Sequence, residues 1–417
     1  MFSYRNASIP LLSQSLSEFE GHPTLRRHAF LLSLAFIFVI PWEGVELVGF
    51  GAAAIVVGYA AAVVWLATVL WTGRLRSPRA FQAMVVVFAL WNALSILWSA
   101  EPGVTAARAM TWAQLLVFVY MLWDLYTTRA ALFAGLQAYV LGAYVAVFSA
   151  ISNFLVGMPF YNRYERFSAG DTNPDGFGFI LTLGIPVAWY LASQTSTTRA
   201  ERFLRVVNFA YIPVSFVGIS LSGTRTALIA TIPAMAFGLS SLMRLHRAAR
   251  IAVLVLLGST LLVVLSQVRS LASFQRFGTT VSEITEGDLN NRTKNWLEGL
   301  VSVGNHPLTG VGANMYRSVN SLGKLAHNSF LSVLVETGLI GVALFGAILT
   351  IAVVQALSQP AWERTFWLSQ LAVWTIGAST LTWEHKKSTW LFLSLIVASA
   401  ALARQRETSV TAPRDLR

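Results

Sequence analysis

Apolar segments recur along the chain at 28–46, 47–71, 81–99, 105–125, 131–156, 175–194, 206–222, 226–243, 251–268, 328–354, 365–382 and 389–403. Most approach the roughly 20 residues needed to cross a hydrocarbon layer. Pro41-Trp42-Glu43 interrupts the first, and the seventh is short and contains Pro213. The pattern predicts an all-α, polytopic membrane protein with about twelve transmembrane helices. One gap is out of proportion: Arg269 to Ala326 is too long for a simple connector. Inside it, Arg292 to Leu300 predicts a short helix with Trp296, Leu297, Leu300 and Val301 on an apolar side, lying along the membrane interface. The chain therefore divides into an N-terminal tail (1–27), nine spans (28–268), a large outer loop (269–326), three spans (327–404) and a C-terminal tail (405–417).

Composition agrees with this division. The chain is 55% hydrophobic and only 12% charged, about half the charge of an ordinary soluble protein. It has no cysteine, so disulfides and thiolate metal sites are excluded. Residues 1–27 are polar and show no small-residue cleavage pattern, which predicts a cytosolic tail and not a signal peptide.

Charge sets the orientation. With both termini inside, the inner segments carry 18 basic and 7 acidic residues, and the outer segments carry 12 of each, so the whole net charge of +11 lies inside. This is the asymmetry of the positive-inside rule. An Arg-rich surface facing anionic lipid accounts for the basic balance, and no nucleic-acid partner is called for. All four lysines, Lys294, Lys324, Lys386 and Lys387, fall outside.

The candidate chemistry gathers on that outer side, above all between Leu300 and Phe345. A Gly/Pro-rich turn, His306-Pro307-Leu308-Thr309-Gly310-Val311-Gly312, leads to a polar run with Tyr316, Arg317 and Lys324. His327-Asn328-Ser329 then opens a long apolar helix, with Asn328 and Ser329 as good N-cap residues. That places His327 at a helix mouth, where the dipole favours anions and disfavours imidazolium. A neutral histidine beside an anion site can take a proton from a hydroxyl while a phosphate leaves. On chemistry alone, a capping or hydrogen-bonding role is the commoner reading of such a histidine. Glu336 is an intramembrane carboxylate, a functional candidate whose alternative is a structural arginine partner. Gly310 and Gly312 serve backbone geometry or a close approach to substrate. His385, in Trp383-Glu384-His385-Lys386-Lys387, reads as part of a solvated interfacial turn. Tyr161, Tyr164 and Trp296 suit sugar stacking or an aromatic belt, and Arg163, Arg166, Arg276 and Arg317 read as loop charges, with Arg166 the favoured functional candidate among them.

Three motifs occur in order on this face: ERFSAGDTNPDGFG, LSGTRTALIA, and HPLTGVGANMY followed by AHNSFLSVLVETGLIG. Together they resemble the O-antigen ligase and O-antigen polymerase superfamily over about residues 160–400. The family usually carries a second Asn where this chain has Asp175. The resemblance implies a fold like the GT-C membrane glycosyltransferases and metal-independent glycosyl transfer at the periplasmic face of the bacterial inner membrane, with no cofactor. The implied donor is a glycan on undecaprenyl diphosphate. The implied acceptor is a sugar hydroxyl of lipid A–core or of another lipid-linked repeat unit, as in exopolysaccharide or lipopolysaccharide assembly. By motif position His327 is the implied base and Arg225 the diphosphate ligand, with Arg292 and Arg166 as further phosphate-binding arginines. Glu336, Tyr316, Arg317 and Asn328 take supporting places. Arginine suits the task, since its planar fork binds phosphate oxygens bidentately. A transporter or flippase for lipid-linked glycans is the alternative class, but such proteins need ionisable groups deep in the bundle. Here Glu336 is nearly alone at depth. A non-catalytic scaffold gives no reason for Arg225, Arg292 and His327 to converge.

Overall fold

The computed structural model describes residues 24–47, 51–161, 165–242 and 291–411, with isolated positions between 247 and 258. Its helices are α1 (Thr24–Val39), α2 (Ala53–Thr72), α3 (Ala80–Leu94), α4 (Pro102–Leu125), α5 (Arg129–Leu155), α6 (Pro174–Ala192), α7 (Arg199–Ser222), α8 (Arg225–Leu242), α9 (Arg292–Asn305), α10 (Ser329–Leu357), α11 (Ala361–Ala378) and α12 (Lys387–Thr411). A two-residue antiparallel pair, β1 (Glu46–Leu47) with β2 (Gly51–Ala52), joins α1 to α2. Among the described residues, nine helices are long and apolar enough to cross a membrane; α8 is a shorter apolar helix. Most of the predicted segment at 251–268, together with Arg163, Tyr164 and Arg276, lies outside the described residues. Every other predicted segment overlaps one of these helices.

The Pro41 interruption is real. A 3-10 turn at Ile40–Trp42 ends α1 there, because proline offers no N–H to continue the ladder. In contrast, α7 runs straight through Pro213 and starts earlier than its apolar run, at a capping box of Thr198 with Glu201.

The core is built around α6 and α12, which are almost wholly enclosed, whereas α2, α3, α8 and α10 turn leucine, isoleucine and valine side chains outward. Such a distribution is that of a bundle in lipid, where the outside is as apolar as the inside. Pro186 sits inside α6 and removes one backbone donor. Nearby carbonyls are served from neighbouring helices: Tyr139 donates to Ile180 O, Tyr211 to Leu181 O and Gln370 to Leu183 O. Backbone groups in a dry bundle must be satisfied in this way.

The most consequential feature is a break in α10, which the unbroken apolar pattern had predicted as one continuous helix. Gly338 adopts φ 67° and ψ −169°, a conformation open to glycine. The turn Pro307–Gly312 fits into the gap. Val311 N and Gly312 N donate to Val335 O and Glu336 O, while Leu339 N and Ile340 N donate to Pro307 O and Leu308 O. Trp91 of α3 donates to Thr337 O at 2.9 Å. The close approach that the glycines permit is therefore to the chain's own helix. A Cβ on Gly310 would meet the Glu336 backbone, and one on Gly338 would meet Leu308 O.

The two ends of the bundle differ. At one end Arg26 and the Arg76 backbone hold Asp124, Arg76 lies over the Trp123 ring, and Arg129 pairs with Glu363. At the other end lie the loops after α5, the turn between α7 and α8, α9, and the starts of α6 and α10.

Candidate active site

The site is assembled from three short stretches tied to one another. In the first, Asn173 caps α6 by accepting from Asp175 N, and Pro174 takes the first helical position. Asp175 thereby sits in the first turn of α6, where the helix dipole favours a carboxylate. In the second, α7 ends at Gly223 in the left-handed conformation, and Thr224 donates to Pro174 O at 2.9 Å. Arg225 follows as the first residue of α8. The S-G-T-R sequence is thus a helix stop and a helix start in four residues, locked onto the Asn173-Pro174-Asp175 turn.

Arg166 is the lock. It is 3% exposed. Its Nε donates to Ser222 O at 2.6 Å, and one Nη to Asp175 Oδ1 at 2.6 Å and to Thr224 Oγ1 at 3.1 Å. Tyr161 lies 5.7 Å beneath it and accepts a hydrogen bond from Asn173 through its hydroxyl. The structure therefore gives Arg166 to the turn that carries Arg225. Asp175 is its counter-charge.

The third stretch joins α9 to the start of α10. Arg292 opens α9. One turn later Asn295 donates to Leu325 O at 2.9 Å and Trp296 to Ala326 O at 2.7 Å, fixing the strand of chain that ends in His327. Trp296 is therefore turned onto the protein, and only Leu297, Leu300 and Val301 of the predicted apolar side stay exposed. Tyr316, fully buried, pins the other flank by donating to Asn295 O at 3.0 Å. Burial pushes its phenol up to about 12, so it serves as a donor and not as a base.

His327 adopts φ 48° and its N–H donates to Thr382 at 3.1 Å. Asn328 is the N-cap of α10, accepting from Phe330 N and Leu331 N. That cap fills part of the helix mouth expected to receive an anion, so the positive field comes chiefly from side chains. Burial lowers the His327 imidazole below its ordinary value, and Arg292, Lys324 and Arg317 lower it further while Asp175 acts against them. Burial likewise lowers Arg292, with Arg225 adding to the effect and Asp175 opposing it. Arg225, Arg292, Asp175 and His327 therefore share one electrostatic neighbourhood, although the sequence spreads them from 175 to 327. Arg317 is exposed at the rim. Among the described residues, no group of three or more His, Asp and Glu is placed to hold a metal ion.

Two expectations change. Among the described residues Glu336 takes no arginine as its hydrogen-bonded partner; its carboxylate accepts from Asn314 N at 2.7 Å and from Tyr316 N at 3.4 Å. His385 is not solvated: its side chain is 15% exposed and its Nδ1 lies 3.1 Å from Glu384. The lone signal in the sequence was a Glu-His pair directly after a tryptophan.

No curated protein matches the chain. Residues 210–346, a third of the chain that runs from within α7 through Arg225, Arg292 and His327 to just past the Gly338 break, match the O-antigen ligase family.

Proposed function

We propose that the chain is a glycosyltransferase that moves a glycan from a lipid diphosphate, of the undecaprenyl type, to a sugar hydroxyl at the outer face of the bacterial inner membrane. The observation that carries this reading is a half-buried histidine, depressed towards its neutral form, beside Arg292, which in turn faces Arg225 from a distant segment. In the reaction, the anomeric carbon's bond to the diphosphate oxygen breaks and the electron pair leaves with the phosphate. The acceptor oxygen forms the new bond, and its proton passes to His327 as general base. Arg225 and Arg292 neutralise the developing phosphate charge; fixed donors aimed at such charge are often the largest catalytic term. Arg166 works through the turn that holds Arg225, with Asp175 as its partner. Two arginines in place of a divalent ion support metal-independent transfer.

The bundle supports a GT-C-like architecture with termini in the cytoplasm. The end bearing Arg26, Arg76, Arg129 and Arg404 is the arginine-rich inner face, and the site end faces the periplasm. Acceptor choice distinguishes ligation onto lipid A–core from polymerisation of lipid-linked repeat units. The test is a gel assay with purified protein in detergent and EDTA throughout. Repeat units alone yield a ladder if the protein polymerises, and a shifted lipid A–core band appears if it ligates. Absence of any new covalent product from a panel of lipid-linked donors would overturn the enzyme reading in favour of a transporter.

A further inference from the structure

Below the His327 site, at the level of the α10 break, a second set of ionisable side chains closes around a small cavity. Glu336 enters it from α10, Glu384 and His385 from the loop before α12, and Arg108 from α4, with Asn92 of α3 completing the polar wall. Phe88 and Trp112 form the apolar side. The space holds roughly one water molecule, too little for a sugar or a phosphate.

The side chains are committed in an informative way. Glu336 is 7% exposed and Glu384 is 5% exposed. Glu384 Oε1 accepts from Ser332 Oγ at 3.3 Å and meets His385 Nδ1 at 3.1 Å. Its second oxygen, Oε2, is buried without a hydrogen-bond partner among the described residues. Arg108 donates to Asn314 Oδ1 at 2.6 Å and supplies the permanent positive charge of the wall. Lys386 lies beside His385 on the same loop, and Lys387 is paired with Glu43. Burial lowers the His385 imidazole, so the ring does not supply a second balancing charge. Two carboxylates then face one guanidinium in a buried pocket, and an uncompensated buried charge is strongly disfavoured.

We propose that this cavity is a proton-binding site, in which Glu336 and Glu384, flanked by His385 and Arg108, hold one exchangeable proton taken from the outer aqueous phase. The proton adds to a carboxylate oxygen and no other bond changes. Its consequence is mechanical. As a carboxylate, Glu336 accepts from both Asn314 N and Tyr316 N, and Tyr316 in turn pins α9 through Asn295 O. A protonated Glu336 turns one acceptor oxygen into a donor, which loosens residues 314–316 and with them the seat of Arg292. The other groups facing Glu336 are Arg108 on α4, Glu384 and His385 on the loop, and Tyr316 itself. This inference stands apart from the glycan reading, since it concerns protonation and loop order alone.

The test uses full-length protein in lipid nanodiscs. Infrared difference spectra across a pH series are recorded for wild type, Glu336→Gln, Glu384→Gln and Asp171→Asn, the last an exposed acid. Hydrogen exchange over residues 314–316 is followed in parallel. Wild type should show a protonated-carboxyl band that grows as pH falls, is lost or shifted in both glutamine variants, and is unchanged in Asp171→Asn. Exchange at 314–316, corrected for intrinsic rates, should quicken at least about tenfold as the band grows, the equivalent of one pKa unit in loop stability. A wild type without such a band at any pH overturns the proposal, even if a variant fails to fold. So does a band that survives both glutamine substitutions, or exchange at 314–316 that ignores pH.

Discussion

Alanine at Gly338 attacks the seam that joins the α10 break to the outer loop. The position sits at φ 67° and ψ −169°, a region that costs a residue with a Cβ about 1–3 kcal/mol. The added Cβ would also fall on Leu308 O and close to Gly310 N, so the turn must withdraw. Four backbone hydrogen bonds cross the seam, at residues 311, 312, 339 and 340. Each contributes roughly 0.5–1.5 kcal/mol net, and losing even two of them adds about 1–3 kcal/mol. Gly338→Ala should therefore destabilise by about 2–6 kcal/mol. Gly346 in the same helix is the control: its Cβ would meet nothing within 4 Å, and an interior helical Gly→Ala change gains up to about 1 kcal/mol. Equilibrium unfolding of both variants in mixed micelles measures the difference. Because the turn leads to Tyr316 and so to α9, Gly338→Ala should also lose transfer activity. Stability within about 0.5 kcal/mol of Gly346→Ala, with activity retained, would refute the interlocked seam.

Other perturbations separate the roles of the charged groups. Arg225→Lys keeps the charge but loses the planar fork, and should remove most turnover while leaving the fold intact; near-normal turnover would contradict phosphate binding there. Arg166→Ala should destabilise by about 2–4 kcal/mol as well as reduce activity, because it strips a buried partner from Asp175 and from the Ser222 carbonyl. A thermally normal but inactive Arg166→Ala would instead make Arg166 a direct ligand. The acid limb of kcat/KM reports His327, which must be neutral to act. Since its folded-state value is lowered, activity should persist below the ordinary histidine value of about 6.5. Arg292→Gln removes a nearby positive charge, raises the histidine and moves the limb to higher pH, whereas Asp175→Asn removes a negative one and moves it lower. Shifts in the same direction would break the electrostatic argument.

Much of this architecture is written in the chain at short range. Hydropathy finds the spans because lipid-facing and core-facing side chains are alike apolar, and Pro41, Asn173, Gly223 and Asn328 mark helix boundaries by local chemistry. The motifs also identify the residues that meet at the site. What the pattern conceals is backbone bonding between distant segments. The run 328–354 is apolar on both sides of Gly338, so nothing in its periodicity betrays the break, which is sustained by carbonyls of residues 307 and 308. Arg166 read as a phosphate ligand because type and motif position carry no record of Ser222 O and Asp175 beside it. Glu384 and His385 looked interfacial because two lysines follow them, although Lys387 turns away to Glu43 and leaves the pair enclosed.

The proposed reaction turns on His327 removing the acceptor proton. Its most direct test is the turnover of lipid-linked glycan by purified wild type and His327→Ala, compared at saturating donor under identical detergent conditions. Loss of a general base should slow transfer by about 10²–10⁴-fold with the protein still folded and donor binding preserved. Turnover by His327→Ala within a few-fold of wild type would contradict it.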